Sequence, residues 1–211
     1  MRLVIITPSK DVPDEISLVT KMFESGLKTL HLRKPRYSTG QMSAYLKEIP
    51  EHFHNRIMIH SHHDLALKFS LKGIHLSKTH LDAKKWRYFF TRLRLRLRFQ
   101  QIAKSRSYTR LQQVYSPEEH HFNYFLIGTM FNNMTGELYS GFYEEGVTAA
   151  NKTAEKQLVA RGGTTPASIT KALQYGFGGI AFNSYLWNSD QPYERFLSII
   201  AEFKKQNIDP E

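Results

Sequence analysis

The sequence predicts an α/β chain folded as one (β/α)8 TIM barrel over residues 1–211, and three observations carry that expectation. Short apolar runs alternate with amphipathic stretches along the chain, as parallel βα units require. Counted through, the runs give eight strands, the number that closes a barrel. The last two strands each end in a turn suited to an anion, which is where such barrels place a phosphate site. An open doubly wound sheet is the alternative reading of the same alternation. With 211 residues the chain is shorter than the ~250 typical of the barrel, so its connections must be lean.

Taken in order, residues 3–7 form the first strand, and residues 14–25 a helix that Gly26 ends. Residues 27–33 contain the second strand, followed by helical spacing over 38–49 that Pro50 closes. The third strand is 56–60, a short helix follows at 64–70, and 73–76 is the fourth strand. A helix is expected over 82–92, a fifth strand within 99–103 and a helix over 108–115. The sixth strand is 123–127, with a long polar loop and a helix near 144–156 behind it. Leu158-Val159-Ala160 is the seventh strand, 167–174 its helix, and Gly178-Gly179-Ile180-Ala181-Phe182 contains the eighth.

The turn after the seventh strand is the most telling segment. In Arg161-Gly162-Gly163 two glycines let the backbone approach an anion closely, and Thr164-Thr165-Pro166 offers an N-cap with proline at the first turn. Asn183-Ser184 follows the eighth strand and opens the short segment Tyr185-Leu186-Trp187. Gly162, Gly163, Asn183 and Ser184 are therefore the expected phosphate-binding residues.

Composition bounds the rest. Lys and Arg number 29 against 19 Asp and Glu, a net charge of +10 that suits an anionic partner, a phosphorylated metabolite or a nucleic acid. No cysteine is present, which excludes disulfides and thiolate chemistry. The opening apolar run is far shorter than the ~20 residues of a membrane span, so a cytoplasmic protein without membrane contact is expected. The run Arg92-Leu93-Arg94-Leu95-Arg96-Leu97-Arg98-Phe99 alternates strictly. It reads either as a patch for an acidic partner or as a solvated connection. A barrel interior could not easily bury four arginines, which puts the run outside it.

In a barrel of this kind the chemistry belongs at the C-terminal ends of the strands. His31 and Arg33 lie two apart and point to the same side, toward the barrel mouth. Arg33 is a natural fork for phosphate oxygens, with Lys34 beside it. His60, Ser61 and His62 end the third strand, and His75, Ser77, Lys78 and His80 follow the fourth. These imidazoles could bind a metal, protonate a substrate or simply be polar residues of the rim; with no HExxH pair, no metal site is expected from spacing.

Five segments also carry a likeness: His31-Leu32-Arg33-Lys34-Pro35, Ile59-His60-Ser61-His62-His63-Asp64-Leu65-Ala66, Lys72-Gly73-Ile74-His75-Leu76, Arg161-Gly162-Gly163-Thr164-Thr165-Pro166, and Tyr175-Gly176-Phe177-Gly178-Gly179-Ile180-Ala181-Phe182-Asn183-Ser184. In order and spacing the chain resembles the thiamine-phosphate synthase and thiazole tautomerase superfamily. The resemblance implies a barrel that joins hydroxymethylpyrimidine diphosphate to thiazole phosphate and releases pyrophosphate with Mg²⁺. By position it implies diphosphate binding by Arg33 and Ser105, and thiazole-phosphate contacts at Gly163 and Asn183-Ser184. Lys34 and Lys78 are expected to add charge on the diphosphate, and Arg33, Lys34, His31 and His60 form the expected catalytic set. The sequence departs from the family where His31 replaces a glutamine, His60-Ser61 replaces an Asn-Asp pair, and His80 or a neighbour replaces a second acidic residue. Both carboxylates that would hold Mg²⁺ are thereby missing. Thr129 stands at or near the place of the tautomerase histidine. A tautomerase-like isomerase, a phosphate-ligand-binding barrel and a nucleic-acid-associated protein are the alternatives to the transferase.

Overall fold

The protein is described here by a computed structural model covering residues 1–77, 93, 97–115 and 122–211. The helix expected over 82–92, Lys78, His80 and most of the arginine run lie outside these residues. Eight strands close in sequence order: β1 (Arg2–Ile6), β2 (Leu30–Leu32), β3 (Ile57–Ile59), β4 (Gly73–Leu76), β5 (Ala103–Tyr108), β6 (Tyr124–Ile127), β7 (Gln157–Arg161) and β8 (Gly179–Phe182). Every neighbouring pair is parallel, and β8 returns to β1 with Val4 opposite Ala181. The open doubly wound sheet is excluded by that closure.

The alternation along the strands divides the core in two. Leu3, Ile5, Leu30, Leu32, Ile57, Ile59 and Ile180 face outward and pack beneath the helices. Val4, Met58, Tyr124, Leu126, Val159 and Ala181 face inward as a smaller cluster that fills the barrel's centre. Helix α1 (Glu15–Glu24) buries Val19, Met22 and Phe23, the i, i+3, i+4 spacing that predicts it. Helix α2 (Thr39–Glu48) starts at a capping box in which the Ser38 hydroxyl accepts from the Gln41 N–H and the Gln41 side chain accepts from the Ser38 N–H. Helices α3 (Asp64–Lys68), α4 (Glu144–Thr153) and α5 (Ser168–Gln174) cover later strands. The short α6 (Ser184–Trp187) precedes α7 (Pro192–Lys205). The expectations had not included α7, although Phe196, Ile199 and Phe203 lie on one buried stripe with proline in the first turn.

Three local expectations are corrected. The fifth strand begins where 99–103 was expected to end, because its inward positions after Ala103 are Ser105 and Ser107 and give no apolar alternation. The helix expected over 108–115 is reduced to a 3-10 turn, Leu111–Tyr115. Thr164 does not cap the helix after β7; its hydroxyl donates to the Ala181 carbonyl at 2.7 Å and ties that turn to β8. In the arginine run, Leu97 is 71% exposed and Arg98 pairs with exposed Asp64 at 2.9 Å. That part lies on the outer surface, as expected. Among the described residues no helix is long and apolar enough to cross a membrane.

Candidate functional site

The C-terminal ends of the strands surround a cavity of about 880 Å³. Its lining includes Arg33 from β2, His60 and His75 from the ends of β3 and β4, Ser107 and Thr129 after them, Arg161, Gly162 and Gly163 from β7, and Asn183 and Ser184 from β8. The parity that points His31 and Arg33 to one side sends them to different depths. His31 is fully buried in the barrel, whereas Arg33 is exposed in the cavity and bonds the Ser9 hydroxyl.

Arg161 is the feature that expectation left out of the site. It ends β7 on the inward face, it is half-buried, and its Nε–H has no acceptor among the described residues. Burial lowers its pKa from the ordinary arginine value, and the like charge of Arg33 lowers it further. Among the described residues neither guanidinium meets a carboxylate. Two planar cations facing one water-filled mouth favour an anion between them. The signal was available, since Arg161 shares its parity with inward Val159 and directly precedes the glycine pair.

The glycine pair is also built differently from expectation. Gly162 and Gly163 both have left-handed backbones, with φ of 84° and 68°. A Cβ on Gly163 would run into the Phe131 carbonyl, so this glycine is required by the loop after β6 packing on it. The two glycines line the cavity and fix that loop, Thr129 included, against the rim. Asn183 lies on the cavity, but its amide donates to the Ile6 and Thr7 carbonyls at 2.8 and 3.1 Å and ties β8 to β1. Ser184 lines the cavity and is exposed.

Two expected site residues are placed away from the rim. Lys34 is buried behind it, its Nζ 2.5 Å from Glu15 Oε2 and 3.0 Å from the Lys10 carbonyl, so its charge is neutralised inside the α1 and α2 layer. Ser105 is fully buried, one inward step below Ser107, and its hydroxyl meets His75 Nδ1 at 2.8 Å. Ser107, which contacts His75 Nε2 at 3.0 Å, is the serine that reaches the cavity.

Beneath the arginines lies a layer of imidazoles. His31 Nδ1 is 2.9 Å from His60 Nε2, and His31 Nε2 is 2.6 Å from the Tyr124 hydroxyl. The rings of His60 and His75 stack at 4.1 Å. Burial, then the neighbouring His75 and the cations Lys72 and Arg2, hold His31 well below the ordinary histidine pKa. Burial, then His75, His31 and Arg33, do the same for His60. His60, placed in the expected catalytic set, is thereby kept from carrying a positive charge near pH 7. Tyr124 is pushed up to about 12 by burial, against the opposing charge of Arg2, and keeps its proton.

The donor set does not suit Mg²⁺. Among the described residues no carboxylate lines the cavity, and hydroxyls, amides, guanidinium groups and imidazoles are poor partners for a hard, strongly hydrated ion.

Comparison with known proteins bears on the family and the fold. The thiamine monophosphate synthase family profile matches residues 3–186. The thiamine-phosphate synthase of Prochlorococcus marinus (strain AS9601) is 23% identical over 211 residues, covering 97% of this chain and 56% of that protein. That of Prochlorococcus marinus subsp. pastoris is 22% identical over 198 residues, 91% of this chain and 53% of that protein. The chain spans about half the length of these curated relatives. Among solved structures, thiamine phosphate pyrophosphorylase from Bacteroides thetaiotaomicron superposes with a TM-score of 0.76 at 27% identity, over 98% of each chain. The Pyrococcus furiosus pyrophosphorylase gives the same TM-score at 17% identity over 97% and 96% of the two chains, a likeness of fold. With the profile match running from β1 through α6 and the strand-end motifs brought to one mouth, the chain belongs to the thiamine monophosphate synthase family.

Proposed function

We propose that the chain is a thiamine-phosphate synthase-like transferase, joining hydroxymethylpyrimidine diphosphate to thiazole phosphate with release of pyrophosphate. The observation that carries this reading is the pair Arg33 and Arg161 facing one cavity without a carboxylate partner among the described residues. When the bond between the pyrimidine methylene carbon and the diphosphate oxygen breaks, negative charge grows on the departing pyrophosphate. Fixed guanidinium groups in a partly desolvated site stabilise that charge. The nitrogen of the thiazole then bonds the same carbon, its phosphate lying against the Gly162-Gly163 turn after β7 and Ser184 after β8. Here cationic side chains take the share of charge neutralisation that a carboxylate-held Mg²⁺ supplies elsewhere.

A specific observation supports a second reading. No carboxylate lines the cavity among the described residues, and Thr129 stands in the loop where a proton-transfer histidine is expected in the tautomerase branch. A barrel that binds phosphorylated thiazole without the transfer step has the same lining. The two readings separate in one assay of purified protein with both substrates, scoring thiamine phosphate and pyrophosphate, with Mg²⁺ and with EDTA. The transferase reading expects product in the Mg²⁺ arm, and the replacement of the metal's role by cationic side chains expects it to persist with EDTA. Binding of thiazole phosphate with no product in either arm overturns it in favour of the second.

A further inference from the structure

The imidazole layer has a use that the transferase reading does not require. His31, His60 and His75 come from three successive strands, all on the inward face. The register Met58 with Gly73 and Ile59 with Ile74 carries His60 level with His75, and His31 pairs with Met58 one inward step below His60. One ring nitrogen of each lies within 4.8 Å of the others. We propose that these three histidines form a binding site for a borderline divalent transition ion, Zn²⁺ or Co²⁺ in class, whose remaining coordination position opens into the cavity.

The chemistry of the donors favours such an ion. Three imidazole nitrogens are the set that suits Zn²⁺ and its first-row neighbours, and they do not suit Mg²⁺ or Ca²⁺. In the rings of His31 and His75 the nitrogen opposite the one offered is already held. His31 presents Nδ1 toward His60 while Nε2 is fixed by the Tyr124 hydroxyl at 2.6 Å. His75 is held by Ser105 at Nδ1 and by Ser107 at Nε2, so either nitrogen can bind with a serine steadying the other. Such outer hydrogen bonds fix ring orientation and tautomer in metal sites. Enclosure on the barrel axis limits solvent on the inner side, whereas His60 and His75 line the cavity and leave the outer side accessible.

The surrounding charge decides what else must bind. Arg33 lies above the layer, and Arg2 and Lys72 act on His31 from the other end of the barrel. A bare dication is opposed by these charges, and one carrying an anionic oxygen on its cavity side is not. The anion class that Arg33 and Arg161 attract is the class that would complete the coordination. The proposal concerns this chain's own histidines and does not depend on the transferase reading.

The test is a titration of tag-free protein with Co²⁺ in chloride buffer, followed by visible absorption. The expected result is one ion per chain with the intense absorption of a tetrahedral site, displaced by Zn²⁺. His60→Ala and His75→Ala should abolish it, with circular dichroism showing that the barrel persists. If His75→Ala does not fold, His60→Asn, which stays polar at a half-buried position, serves in its place. Tyr124→Phe should weaken binding about 10- to 100-fold by freeing the His31 ring, and His52→Ala, on the exposed outer surface, should leave it unchanged. Absence of the tetrahedral absorption in the wild type overturns the proposal, as does its survival in folded His60 and His75 variants.

Discussion

At the scale of single residues, the cavity depends on side chains and backbones that carry no obvious signature of their type. Gly163 illustrates this. The sequence suggests a glycine kept open for a phosphate oxygen, and the structure adds the Phe131 carbonyl as the group a side chain would strike. With φ at 68° and that contact, Gly163→Ala is expected to lower folding stability by about 2 kcal/mol or more, read as a lower urea midpoint at unchanged slope. An unchanged midpoint would show that the loop after β6 does not press on this position. Lys34 and Arg33 are neighbours with opposite fates for the same reason. Strand parity turns Arg33 inward to the mouth and Lys34 outward, where Glu15 and Tyr45 wait on the first two helices. The sequence shows both as cations beside a strand end, and parity past the last strand residue is what separates them.

Secondary-structure elements were legible where one face is apolar and obscure where function has replaced apolar groups. Helix α1 and the outward faces of β1 to β3 follow their hydrophobic spacing, and α2 is announced by Ser38 and Gln41. Strand β5 was misplaced because Ser105 and Ser107 serve the histidine layer instead of an oily core. The sequence puts His31, His60 and His75 near one rim, but their close approach was not legible, since they lie 29 and 15 positions apart and meet only through strand register. The layer between β2 and α1 also makes a prediction of its own. Glu15 is raised from the ordinary carboxylate pKa by burial, against the attraction of Lys34, so the pair is held at a desolvation cost. Lys34→Met is expected to destabilise the fold by about 3–5 kcal/mol by leaving Glu15 buried alone, and adding Glu15→Leu should recover most of it. Chemical denaturation of the three variants checks this. A Lys34→Met protein of unchanged stability that has lost pyrophosphate binding would instead return Lys34 to the site.

At the scale of the whole molecule, closure of eight strands gathers residues from Arg33 to Ser184 around one mouth. The net charge of +10 attracts anions to the molecule at long range, and Arg33 with Arg161 is the place proposed for them. Fold and family could be read from five short motifs because each sits at a strand end, where the barrel tolerates little change in spacing. The balance of charge inside the cavity could not be read in that way, since it depends on which polar residues find partners elsewhere: Lys34 with Glu15, Asn183 with β1, and Arg161 with none at its Nε among the described residues.

We propose that Arg33 and Arg161, neither of which meets a carboxylate among the described residues, together form the diphosphate site. Calorimetry with pyrophosphate, comparing the wild type with Arg33→Gln and Arg161→Gln, tests it most directly. Hydrogen bonds to charged groups are worth about 1.5–3 kcal/mol, so each variant should bind about 10- to 100-fold more weakly while remaining folded. Pyrophosphate affinity unchanged in both variants would contradict the account and place the anion elsewhere on the molecule.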